Sequence, residues 1–195
     1  MIHEVDEALR RLLSARALPG GAADIVFDAP TRAWATRREA PTVNAHLYDV
    51  REETAAREHG TAALRDPAGT FTAHRRPPRW FRLSYLLTAW ADRAEDEHRL
   101  LSAVLSCLLP HESLPAGYLE GALADLGLTV PLVIGTRQDG PRSGADTRSA
   151  ALGGELKPSL EVVVTMPVAV HTDHTVPRQV LEPRVAMVHD FPRRP

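Results

Sequence analysis

"RPPRWFRLSYLLTAWADRAEDEHRLLSAVL", Arg76 to Leu105, changes its periodicity part-way along. From Trp80 to Trp90 large apolar residues alternate, the two-residue repeat of a strand. From Glu95 onward they recur every three or four positions, the repeat of a helix. A strand therefore runs straight into a helix. Phe81, Leu83, Tyr85, Leu87 and Ala89 form one face of that strand, and it reads as core. Trp80, Arg82, Ser84, Leu86, Thr88 and Trp90 form the other, an amphipathic face suited to partial burial by a neighbour or a covering helix. Asp92 stands where an N-cap would, with Glu95 three residues on, an approximate capping box. Leu101, Val104, Leu105 and Leu108 make the apolar stripe of a helix over 93–109, which "PHESLP" ends.

Upstream, "TVNAHLYDV" (42–50) places Val43, Ala45, Leu47 and Asp49 against Asn44, His46 and Tyr48, a second strand. The polar stretch 51–69 reads as a long hairpin loop whose return strand begins near Arg79, so 42–50 and 79–91 pair antiparallel. Before them, residues 2–17 form an amphipathic helix with Ile2, Val5, Leu9, Leu12 and Leu13 on one face. "LPGG" at 18–21 stops it. "ADIVFDAP" gives a short strand, and "TRAWATRREAP" (31–41) a charged loop.

Downstream, a turn-rich segment leads to a strand in "LTVPLVIG" (128–135). A mobile loop over 136–148 and a weak helix around 146–152 follow. "LKPSLEVVVTMPVAV" is the last strong strand, with Leu160, Val162, Val164 and Met166 alternating with Glu161, Val163 and Thr165. The tail from about 171 is proline-rich, and "PRVAMVHDF" within it has the pattern of an edge strand. The whole, 1–195, reads as one α+β domain with an antiparallel or mixed sheet and flanking helices.

Composition bounds the function. A formal charge of −2 builds no field that would favour nucleic acid or an acidic membrane. No run approaches the ~18 apolar residues of a membrane span, and "MIHEVDEALRRLL" lacks a signal peptide's apolar core. These features point to a cytoplasmic chain, or one exported only inside a larger particle. Aromatic residues are 5% of the chain, so a cluster of them carries information. Lys157 is the sole lysine.

The chemical candidates are weak. His171, Asp173 and His174 in "HTDH" have a spacing seen in metal sites, but a third ligand at a recognisable spacing is missing. Asp92, Glu95, Asp96 and Glu97 sit at a helix start, where negative side chains are stabilising on electrostatic grounds alone. The glycines of "GTRQDGPRSG" and "LGGEL" match neither common phosphate-binding pattern. Ser84, Ser102 and Ser106 lack a nucleophile-elbow setting, and Cys107 lies in an apolar helical run as a buried thiol. Arg75, Arg76, Arg79 and Arg82 flank Trp80 and Phe81, a pattern better suited to a protein interface than to nucleic acid at this net charge. A metal-dependent hydrolase at "HTDH" and a nucleic-acid-binding regulator remain the alternatives. No catalytic residue, metal or cofactor is assigned.

The N-terminal helix, "PTVNAHLYDVREETAAR", "RRPPRWFRLSYLLTAWADRAEDEHRLLSAVLSCLL" and "LGGELKPSLEVVVTMPV" resemble, in that order, a known family. These are the cap or tail-terminator proteins of phage-tail-like contractile injection systems, such as the Photorhabdus virulence cassettes and the antifeeding prophage. The resemblance covers nearly the whole chain. It implies a tail-terminator-like fold and a homohexameric ring that binds the inner tube and sheath at the end away from the baseplate. It carries over no catalytic residue. Ring closure requires one patch to meet a different patch on the neighbouring copy, and tryptophan and arginine are common anchors of such contacts. Trp34, Arg79, Trp80, Arg82 and Trp90 are the candidates. Trp80 and Trp90 read equally as core residues beneath a covering helix.

Overall fold

The structure, a computed structural model, describes residues 1–60, 62–65, 71–135, 157–170 and 174–175. They divide into two units, 1–59 with 77–170 and 60–76 with 171–195. The first holds a five-stranded mixed sheet. In chain order it comprises α1 (Ile2–Arg16), β1 (Asp24–Val26), α2 (Arg32–Ala35) and β2 (Thr42–Glu52). After the second unit's first strands come β5 (Arg79–Trp90), α3 (Ala94–Leu108), α4 (Gly121–Asp125), β6 (Leu132–Ile134) and β7 (Ser159–Val168). The sheet order is β1-β2-β5-β7-β6. β1 runs parallel to β2, and every other pairing is antiparallel.

β5 is the spine, as its alternation predicts. Its core face (Leu83, Tyr85, Leu87 and Ala89) is fully buried. α1 and α3 cover that face. α1 contributes Val5, Ala8, Leu9, Leu12 and Leu13, all fully buried, and α3 contributes Val104 and Leu108. Burying a Val or Leu side chain contributes ~1.5–3 kcal/mol before entropy is counted, so packing rather than helix propensity holds α1 in place. Ile2, in the first turn, stays 38% exposed. One polar pair crosses the layer: the Tyr85 hydroxyl donates to Asp6 Oδ1 at 2.7 Å. α1 ends as "LPGG" predicts, with Gly20 and Gly21 both at φ 75, a backbone conformation that only glycine adopts freely.

Four local expectations need correction. The stretch 51–69 is not one loop: β2 continues to Glu52, a 3-10 turn covers Thr54–Ala56, and Ala62–Arg65 forms strand β3. A four-residue strand among turn formers is too short to register as a period. Within β2 a bulge at Tyr48 shifts the register, so that Leu47 faces Tyr85 but Asp49 faces Ser84. The extra residue turns Asp49 onto the amphipathic face, away from Val43 and Ala45. At α3 the N-cap position belongs to Arg93, without a side-chain cap, in place of Asp92. Glu97, one turn in, instead accepts from the Ala91 N–H at 3.2 Å. Two short helices, α2 and α4, stand where loops are expected.

The second unit's described part is a three-stranded antiparallel sheet. β3 pairs with β4 (Phe71–Arg75), and β4 pairs with β8 (His174–Thr175). The expected loop at 136–148, helix at 146–152 and edge strand in the tail lie outside the described residues.

Candidate assembly surface

β5 organises the candidate residues: Trp80, Arg82 and Trp90 lie on its amphipathic face, Arg79 shares the opposite side with Phe81, and Trp34 comes from α2. Its alternation puts Trp80 and Trp90 on the same side of the strand but ten residues apart, roughly 33 Å at ~3.3 Å per residue. The five candidates therefore divide between two ends of the sheet.

At one end, Trp90 is 7% exposed and joins Leu86 in a small cluster separate from the main core. Trp34, from α2, meets it edge-on with centroids 5.3 Å apart and planes at 83°. Arg38 lies over the Trp90 ring at 5.1 Å and Lys157 Nζ at 4.4 Å, so two cations face one π-system. Lys157 Nζ also pairs with Glu97 Oε1 at 2.5 Å, each side chain 15% exposed. The Trp90 indole N–H donates to Thr88 Oγ1 at 2.8 Å. The sequence brought Trp34 and Trp90 forward and placed Glu97 at a helix start, but it gave no sign of Arg38 or of the Glu97–Lys157 pair beside Trp90. Only the singularity of the lysine gave a signal.

Over the middle of the face a second strap forms. The Tyr48 hydroxyl reaches across β5 and donates to Glu161 Oε1 on β7 at 2.5 Å. Burial first, and then the Glu161 carboxylate, push the Tyr48 hydroxyl well above the ordinary phenol range. His46, half-buried opposite Leu86, is held below the usual imidazole value by burial.

At the other end the strand is open and charged on both sides, with Arg79 and Glu52 on the Phe81 side and Arg82 on the amphipathic side. Arg79 Nε and Nη2 donate to the two oxygens of Glu52 at 2.8 and 2.5 Å, and Arg57 does the same at 3.0 and 2.6 Å. These two guanidiniums, Arg57 first, hold the Glu52 carboxyl below its ordinary range. Arg82 lies opposite Arg51 in the β2 register and pairs loosely with Glu53 at 3.8 Å. Trp80 is half-buried opposite Pro167. Val133 on the edge strand is 43% exposed on the amphipathic face.

The remaining chemical candidates stay apart. His171 and Asp173 lie outside the described residues, and His174 begins β8. Among the described residues no three of His, Cys, Asp or Glu converge as a metal-holding group. Cys107 is half-buried, and burial raises its thiol.

This architecture is shared with known proteins. The chain is similar to the sheath/tube terminator of the extracellular contractile injection system PVC in its extended state, with TM-score 0.67 and 19% identity over 98% of this chain. It is also similar to the tube-terminating cap of the anti-feeding prophage, with TM-score 0.61 and 22% identity over 93% of this chain. It spans 65% and 60% of those two chains. No curated protein matches the sequence significantly. The Pvc16 N-terminal domain matches residues 4–182, nearly the full length and both units, and on that match the chain belongs to the Pvc16 N-terminal domain family.

Proposed function

We propose that this chain is a structural terminator: a ring-forming cap on the inner tube and sheath of a contractile injection particle. The observation that carries the reading is the correspondence of 98% of the chain with a sheath/tube terminator. The order of resemblance along the sequence supports it independently. The role is non-catalytic. Six copies close a ring at the end away from the baseplate, and the chain works in the cytoplasm as part of a particle that can then be released.

The open end of β5 is the better assembly patch. Arg79 is held there by both oxygens of Glu52, so little of its side-chain entropy is lost when a neighbour docks, and Arg82 projects from the other side of the strand near Glu53. Trp80 and Val133 add apolar area beside them. Trp34, packed over the buried Trp90, marks the second patch. Truncating an interface arginine at a hot spot costs ~2 kcal/mol, about thirtyfold per contact. Arg82→Ala is therefore expected to leave the subunit folded by circular dichroism but to give tubes and sheaths of uncontrolled length under electron microscopy. Uniform particles from the folded variant would remove Arg82 from the interface.

A further inference from the structure

The segment 28–38 lies over Trp90 and is fastened mainly to itself. Its backbone bonds close within itself: Thr31 N–H to Ala29 O, Ala35 N–H to Thr31 O and Arg37 N–H to Trp34 O. Its side-chain bonds do the same. The Trp34 indole N–H donates to Asp28 Oδ2 at 3.0 Å, and Arg37 Nε donates to Ala33 O at 3.0 Å. Among the described residues, one hydrogen bond ties the segment to the sheet: Asn44 Nδ2 to Asp28 O at 3.0 Å. Both flanks are anchored. Phe27 stacks edge-on against Tyr85 beneath Arg10, and Pro41 O accepts from the Asp24 N–H.

The closed position also carries a polar penalty. Arg38 Nε and Asn44 Oδ1 are shut off from solvent without a hydrogen-bond partner. A buried donor or acceptor left unmade is costly, and opening would return both to water. What keeps the segment down is the Trp34–Trp90 edge contact with Arg38 over the rings, in a cluster apart from the main core.

We propose that residues 28–38 form a hinged strap that opens as a unit, separately from the core, and gates access to Trp90 and Leu86. Its hinges are Phe27 on one side and Ala40–Pro41 on the other. Closed, it withholds Trp90, the Arg38 Nε and the Asn44 amide oxygen from the surface. Open, it presents all three. This is a property of the single subunit and does not depend on the terminator reading.

The test is hydrogen exchange by nuclear magnetic resonance on the isolated full chain. The chain has three tryptophans, so the indole N–H signals of Trp34, Trp80 and Trp90 are few enough to assign. In the wild type, the Trp90 indole is expected to be at least tenfold less protected than the Leu9 and Leu12 amides, with a weaker denaturant dependence. In Trp34→Ala, Trp90 protection is expected to fall at least another tenfold while α1 amides remain protected. Exchange of Trp90 at the same rate and denaturant slope as α1 would overturn the proposal, because Trp90 would then open only with the whole fold. Full Trp90 protection in the folded Trp34→Ala chain would overturn it too, since the strap would not be the cover.

Discussion

Lys157 is the sole lysine and the sharpest place to perturb the molecule. Its Nζ lies 2.5 Å from Glu97 Oε1 and 4.4 Å from the Trp90 centroid, tying the start of β7 to the first turn of α3. Exposed ion pairs contribute about 0–1 kcal/mol, whereas removing one partner of a buried pair costs about 3–5 kcal/mol. With each side chain 15% exposed, the pair sits nearer the buried limit. Lys157→Met keeps the stem against the tryptophan but removes the charge, for an expected loss of about 2–3 kcal/mol. Glu97→Gln keeps an acceptor for the Ala91 N–H and leaves the ammonium unpaired, for an expected loss of about 2 kcal/mol. The double variant buries no lone charge, so it should be more stable than the sum of the singles by about 1–2 kcal/mol. Urea unfolding followed by circular dichroism reads all four proteins; at ~2 kcal/mol/M each single should move the midpoint by about 1 M. Singles within ~0.5 kcal/mol of wild type, combining additively, would show that the pair is no more than a surface contact.

Other groups give smaller, directional tests. Burial raises the Asp6 carboxyl, so its ionisation opposes folding; the stability tied to its neutral form is complete below the unfolded value of 3.8 and is lost as pH rises through the raised value. Asp6→Asn, which retains an acceptor for Tyr85, should match or exceed wild type at pH 7 and forfeit that advantage near pH 3.5, read by urea midpoints. His46 has the opposite sign of response: its folded value is lowered, so the unfolded chain binds more protons and stability drops as pH falls below 6.5. His46→Gln should flatten that part of the stability–pH curve. Gly121 sits at φ +59, and a Cβ there would lie 3.2 Å from Glu4 Cδ. Gly121→Ala should therefore cost about 1–2 kcal/mol, seen as a lower thermal midpoint.

The elements with strong periods were legible in the sequence. β5, α3 and α1 appear within a residue or two of their expected spans and β7 within three, because each buries one face and the burial writes its period into the residue order. The antiparallel β2–β5 pairing followed from that order as well. What escaped has no period to leave. The bulge at Tyr48 is a single inserted residue, β3 is four residues long, and α2 is one turn. The surface was legible only in part. Trp34 and Trp90 stood out because aromatics are rare, but they are fifty-six residues apart and Lys157, over the Trp90 ring, comes from a third segment. Long-range pairs of that kind are set by the fold and carry no local signature.

The central claim is that this chain ends a tube. Its most direct test is electron microscopy of particles assembled with their own tube and sheath proteins, in the presence and in the absence of this chain. The account predicts that without it tubes and sheaths run to uncontrolled lengths or few complete particles form, and that restoring the chain restores a single length. Particles of normal, uniform length formed in its absence would contradict the terminator role outright.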